Sequence, residues 1–120
     1  MLDMAIIGAG PAGLSAAINA RIRNKEVKVF GNDPTTSYLY KAERVDNYIG
    51  MLGATGQEMI ESFVGHAKEM GVEIEKKKVL EIFSMGDYYV LNAENEFIEA
   101  KTVILANGIA KSNMLPGEEK

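Results

Sequence analysis

The apolar positions follow three rhythms in succession, and each rhythm predicts its elements. Asp3-Met-Ala-Ile-Ile7 is a short apolar run broken at once by glycines, as in a buried strand of a parallel sheet. Leu14, Ala17 and Ile18 then recur at helical spacing. Pro11 suits the first turn of that helix, because its fixed φ is already helical. Arg21, Arg23 and Lys25 fall around its C-terminal end, where cations complement the helix dipole. Val27-Lys-Val-Phe30 predicts the second strand, so that strand, helix and strand form a right-handed βαβ unit with parallel strands.

Residues 31 to 54 show no clear period. They are polar and glycine-rich, with Tyr38, Tyr40 and Tyr48 interspersed, and a loop this long inside a compact domain is expected to be functional. Thr55-Gly-Gln-Glu58 matches a capping box. The helix it opens carries Met59, Ile60, Phe63, Ala67 and Met70 on one face and stops at Gly71. Val72-Glu-Ile-Glu75 predicts a third parallel strand. The period then shortens: Val79 to Met85, Tyr88 to Asn92 and Glu96 to Ala100 are separated by turn residues and predict an antiparallel meander. Thr102-Val-Ile-Leu-Ala106 predicts a separate buried strand, ended by Gly108. The expected class is α/β, a parallel sheet with an antiparallel β-meander insertion.

Composition narrows the chemistry. A chain of 120 residues amounts to one domain or less, and 47% apolar with 25% charged residues is ordinary for a globular core. A net charge of -4 argues against nucleic acid as a partner. Cysteine is absent and His66 is the only histidine, which removes disulfides, thiolate chemistry and a zinc cluster from these residues. His66 reads as a surface-edge histidine, and Lys76-Lys-Lys78 as a solvated strand end. The uncharged stretch from Met4 to Ala20 is interrupted by Gly8, Gly10, Pro11 and Gly13 and lacks a basic leader. It is neither a signal peptide nor a membrane span, and the expected location is cytoplasmic.

Gly8-Ala-Gly-Pro-Ala-Gly13 is the segment that points to function. It satisfies G-x-G-x-x-G directly after a predicted strand and at the start of a helix, the context that a dinucleotide site requires. Gly8 permits the tight turn, Gly10 the approach of a pyrophosphate, and Gly13 close packing of helix on strand. The helix start adds free amides and a partial charge of about half a unit. A carboxylate for the ribose is expected at the end of the second strand, but that place holds Gly31. Asn32 or Asp33 therefore serves the ribose, or Asn32-Asp33-Pro34 is only an exposed turn.

Beyond this motif the chain resembles a family. Gly8-Ala-Gly-Pro-Ala-Gly-Leu-Ser-Ala-Ala17, Val45-Asp-Asn-Tyr-Ile-Gly50, Thr55-Gly-Gln-Glu58 and Lys101-Thr-Val-Ile-Leu-Ala-Asn-Gly108 are similar, in collinear order, to the N-terminal FAD-binding half-domain of thioredoxin reductases. The resemblance implies a Rossmann-like FAD-binding fold over residues 1–120. In that family the chain leaves the domain through a segment like Leu115-Pro-Gly-Glu-Glu119, enters a second nucleotide-binding domain that carries Cys-x-x-Cys, and then returns. These residues are accordingly expected to be an incomplete FAD domain. The resemblance also implies contacts: Gly8, Gly10, Pro11, Ala12 and Gly13 at the FAD pyrophosphate, Leu39, Tyr40 and Lys41 along the ribityl chain, and Asn47 on the flavin side. The Val79 backbone would meet the adenine, and Ala106, Asn107 and Gly108 would approach the cofactor at the last strand's end. It further implies a homodimer, a thioredoxin-like protein substrate and NADPH as electron donor. Some positions depart from the family pattern: Asn107 replaces the usual Thr and Ile49 the usual Pro, while the second-strand acid and the Gly-Gly-Gln of the flavin loop are absent. These departures resemble a branch that takes electrons from ferredoxin instead of NADPH. Two other readings stay open, an NAD-binding dehydrogenase domain and a free-standing non-catalytic nucleotide-binding module.

Overall fold

The computed structural model describes residues 1–108. Its first half follows the apolar rhythm closely. β1 (Leu2–Ile7), α1 (Pro11–Ile22) and β2 (Val27–Phe30) form the βαβ unit, with Met4 beside Val27 and Ile7 beside Phe30 in parallel register. Asp3 holds that register at its start, where its carboxylate accepts the Glu26 amide at 2.8 Å. At the far end of α1, Arg21 Nε donates to the Met70 carbonyl at 3.1 Å and Nη1 to that of Lys25 at 3.2 Å, which ties the end of α1 to the end of the next helix.

That helix, α2 (Gly56–Glu69), starts with both arms of its capping box closed. Thr55 Oγ1 accepts the Glu58 amide at 3.1 Å and the Glu58 carboxylate accepts the Thr55 amide at 2.8 Å. Met59, Ile60 and Ala67 are buried, Phe63 and Met70 half-buried, His66 exposed, and Gly71 at φ 82° turns the chain out. Thr55→Ala is expected to lower stability by about 1 kcal/mol, read as a shifted urea midpoint at unchanged slope.

β3 (Glu73–Glu75), β4 (Val79–Ser84), β5 (Tyr89–Ala93) and β6 (Glu96–Leu105) complete the sheet, whose strand order is β3-β2-β1-β6-β5-β4. β3, β2, β1 and β6 are parallel neighbours, whereas β6-β5 and β5-β4 are antiparallel. The two strands expected at 96–100 and 102–106 are a single strand. Ala100 pairs with Leu2 of β1 on one edge and with Tyr89 of β5 on the other, so β6 runs from the meander straight into the parallel sheet. Lys101 looks like a break in the sequence, but it occupies an outward position in a period-2 pattern. Its ammonium lies 3.5 Å from Asp3, and Thr102 Oγ1 donates to the Asp3 carbonyl at 2.8 Å.

Both faces of the parallel strands are covered, which is why β1 and β2 read as nearly continuous apolar runs. On one face Ile6, Val27 and Val29 pack with Leu14, Ala17 and Ala67 from the helices. On the other, Ala5, Ile7 and Phe30 pack with Val79, Leu91 and Ala93 from the meander. The long aperiodic loop contains two single 3-10 turns, Pro34–Thr36 and Leu39–Lys41. Among the described residues no helix is long and apolar enough to cross a membrane. The exit segment at residues 115–119 lies outside the described residues.

Candidate functional site

From β1 the chain proceeds to β2 and β3 on one side, while β6 lies on the other, so the strand order reverses beside β1. A crevice at the carboxyl ends of the strands is expected at such a point. Here backbone hydrogen bonds join those ends. The Gly8 amide donates to the Phe30 carbonyl at 2.7 Å, and the Ala106 amide donates to the Ile7 carbonyl at 2.7 Å. Gly8 has φ 120°, and a Cβ on it would overlap the Ala106 carbonyl oxygen. A Cβ on Gly13 would overlap the Gly8 carbonyl oxygen and lie 3.3 Å from Ile6 Cγ2, so α1 sits directly on the turn. Gly31 belongs to the same knot, since a Cβ there would be 3.0 Å from the Ala9 amide nitrogen. β1, β2, α1 and β6 thus converge on the Gly8–Gly13 turn, at separations only glycine permits.

Gly10 differs from the other glycines of the turn. A Cβ there would meet nothing within 4 Å among the described residues. Gly10 is also the cap of α1, with φ -84° and ψ -171°. Among the described residues no side-chain cap closes that helix start, and its first turn holds no acid. The contrast with α2, whose start is closed by its own Thr and Glu, is chemical: the leading amides of α1 and the positive end of its dipole are left for an external anion. The backbone turn therefore fits a diphosphate.

The residues expected at the ribose behave unequally. Asn32 is exposed just beyond Gly31. Asp33 caps the Pro34–Thr36 turn: Oδ1 accepts the Thr35 amide at 3.0 Å and the Thr35 hydroxyl at 2.9 Å, and Oδ2 lies 2.9 Å from Lys76 Nζ. The Thr35 amide, with Lys76 second, pulls the Asp33 carboxyl down from the ordinary 3.8 to about 2. Because the folded value is depressed, this cap is complete above the ordinary carboxylate range and is lost only as pH falls through about 2. A carbon-detected NMR titration is expected to place the Asp33 midpoint near 2, and Lys76→Met is expected to move it part of the way back up.

Other candidates sit on the rim. Leu39 and Tyr40 are half-buried and Lys41 exposed on the second 3-10 turn, which lies against the start of α2 through the Gly56 amide donating to the Ala42 carbonyl at 2.8 Å. Asn47 is exposed in a loop closed by a Val45–Ala54 bridge. Its neighbour Tyr48 packs its ring on Phe63, centroids 5.4 Å apart, and so anchors that loop. The Val79 side chain is buried in the meander-side core, and its backbone pairs with Ala93 of β5. Ala106 is half-buried, while Asn107 and Gly108 are exposed at the end of β6. The lysine run is more engaged than a solvated strand end: Lys76 pairs with Asp33, Lys77 with Glu96 and Glu75, and the Lys78 amide donates to the Glu94 carboxylate at 2.9 Å. Among the described residues no group of acids and histidine could hold a metal ion.

The chain matches the family model described as pyridine nucleotide-disulphide oxidoreductase over residues 2–120. It is 37% identical over 121 positions to a thioredoxin reductase of Peptoclostridium acidaminophilum, covering 98% of this chain and 38% of that protein. It is also 37% identical to a ferredoxin–NADP reductase of Ignicoccus hospitalis, covering 91% of this chain and 37% of that one. Among solved structures, a ferredoxin-flavin thioredoxin reductase from Clostridium acetobutylicum superposes with a TM-score of 0.87 at 47% identity, covering 98% of this chain and 41% of the other. The chain therefore spans about two fifths of the length of these relatives.

Proposed function

Because this chain belongs to the pyridine nucleotide-disulphide oxidoreductase family, we propose that it forms the FAD-binding part of a thioredoxin-reductase-like flavoprotein. The observation that carries the reading is the start of α1, which has no side-chain cap among the described residues. A helix with no side-chain cap, opened by Gly10 and wedged against β1 at Gly8 and Gly13, offers its amides to a diphosphate.

FAD, when bound, supplies two-electron redox chemistry, and the residues here bind and orient it. Gly8, Gly10, Pro11, Ala12 and Gly13 hold the diphosphate. Asn32 serves the ribose, since both carboxylate oxygens of Asp33 are taken up by Thr35 and Lys76. The Val79 backbone faces the adenine, Leu39, Tyr40 and Lys41 lie along the ribityl chain, and Asn47 and residues 106–108 border the flavin. The sequence contains no cysteine, so the dithiol that receives the electrons lies outside these residues. The whole protein then reduces a thioredoxin-like partner, as a cytoplasmic homodimer. Ferredoxin is favoured over NADPH as its donor, because the second-strand acid gives way to Gly31 and a relative at 47% identity is a ferredoxin-flavin enzyme.

The full-length protein is expected to purify yellow, or to take up added FAD in a calorimetric titration in which NAD does not compete. A preparation that binds NAD and refuses FAD would overturn the assignment. Mixing with reduced ferredoxin and with NADPH in separate stopped-flow experiments, followed by flavin bleaching, identifies the donor.

A further inference from the structure

Gly56 follows the Thr55 cap at the first position of α2, where capping makes no demand for a glycine. It is buried, and the reason lies elsewhere in the chain. A Cβ on Gly56 would overlap the carbonyl oxygen of Leu39, lie 2.7 Å from that carbonyl carbon and 3.0 Å from the Ala42 amide nitrogen. All of these are backbone atoms and cannot swing aside. The overlapped oxygen is also the one that closes the 3-10 turn, accepting the Ala42 amide at 3.0 Å, while the Gly56 amide donates back to the Ala42 carbonyl at 2.8 Å. Gly65, later in the same helix, has nothing within 4 Å of where its Cβ would be.

We propose that Gly56 is a positioning residue for the flavin half of the cofactor site. By leaving room for the Leu39 carbonyl, it seats the Leu39–Lys41 turn on the first turn of α2 and sets where those side chains stand. This inference rests on the reading of that turn as lying along FAD. The diphosphate half is built from other elements, β1, β2, α1 and the end of β6, so the two halves are separable by substitution.

The test uses the full-length apoprotein, titrated calorimetrically with FAD and, as a probe of the diphosphate half alone, with ADP. The unsubstituted protein must bind FAD; if it does not, the functional reading itself fails, whatever Gly56→Ala does. Gly56→Ala is expected to weaken FAD about tenfold or more, as backbone overpacking does, and to leave ADP within about twofold. It should also shift the visible flavin band of the holoprotein. Gly65→Ala should change none of these. The proposal is overturned if Gly56→Ala keeps the unsubstituted FAD affinity and spectrum, or if FAD and ADP weaken in equal proportion. Should Gly56→Ala fail to fold, Ser37→Ala removes the hydroxyl that accepts the Tyr40 amide at 3.3 Å and loosens the same turn from its other side. It is judged by the same FAD-to-ADP ratio.

Discussion

Gly8→Ala in the full-length protein is expected to give a colourless preparation. Two costs combine at this one position. A non-glycine residue at φ 120° carries backbone strain of about 1–3 kcal/mol, and its Cβ must push the Ala106 carbonyl away from the end of β1. Ala106 cannot move alone, because its amide is bonded to the Ile7 carbonyl at 2.7 Å. A displaced turn that costs the complex about 3 kcal/mol of binding would weaken FAD on the order of a hundredfold. Flavin content from visible absorbance and a titration of the apoprotein would read it. Gly10→Ala supplies the contrast: its Cβ enters open space, so the fold is expected to stand while the approach of the diphosphate is obstructed. A Gly8→Ala protein with full flavin occupancy would remove the basis for placing the cofactor at this turn.

The largest loss of fold stability is expected from Phe30→Ala, about 3–5 kcal/mol. Phe30 has 0% exposure and is the largest fully buried side chain on the meander side of the sheet, where it packs with Ile7, Val79 and Leu91. Its described neighbours Ile7, Val79 and Leu91 all stand in paired strands. Urea unfolding followed by circular dichroism is the measurement. Leu80→Ala, on the outer side of β4 at 40% exposure, should stay within about 0.5 kcal/mol. If the two variants proved equal, the meander would not be packed on the sheet as described.

What the sequence disclosed was local. The glycine turn, the Pro11 helix start and the capping box at Thr55 and Glu58 are signals in which cause and effect lie within a few residues, and the structure has each of them. The continuity of β6 was hidden because Lys101 interrupts an apolar pattern, and its outward position is evident only once Asp3 is seen beneath it. The 3-10 turns of the long loop left no period to read. Asp33 offered two roles on composition alone: its cap of Thr35 is local, but its pairing with Lys76 depends on β3 arriving alongside β2. Gly56 could not be singled out either, because the atom that excludes a side chain there belongs to Leu39. A glycine directly after a good N-cap, where alanine would serve the helix better, is the trace it leaves in sequence.

β6 is one unbroken strand serving two neighbours, and this limits how the fold can change length during evolution. Because alternate residues face opposite sides, inserting or deleting a single residue between Glu96 and Leu105 would turn inward-facing positions outward beyond that point and displace Ala106 from Gly8. Length variation among descendants of this sequence should therefore collect at the hairpin tips, around Gly86 and around Glu94 and Asn95, where the backbone already adopts left-handed conformations. The stretch that ends beside the Gly8–Gly13 turn should keep a constant residue count even where its side chains diverge.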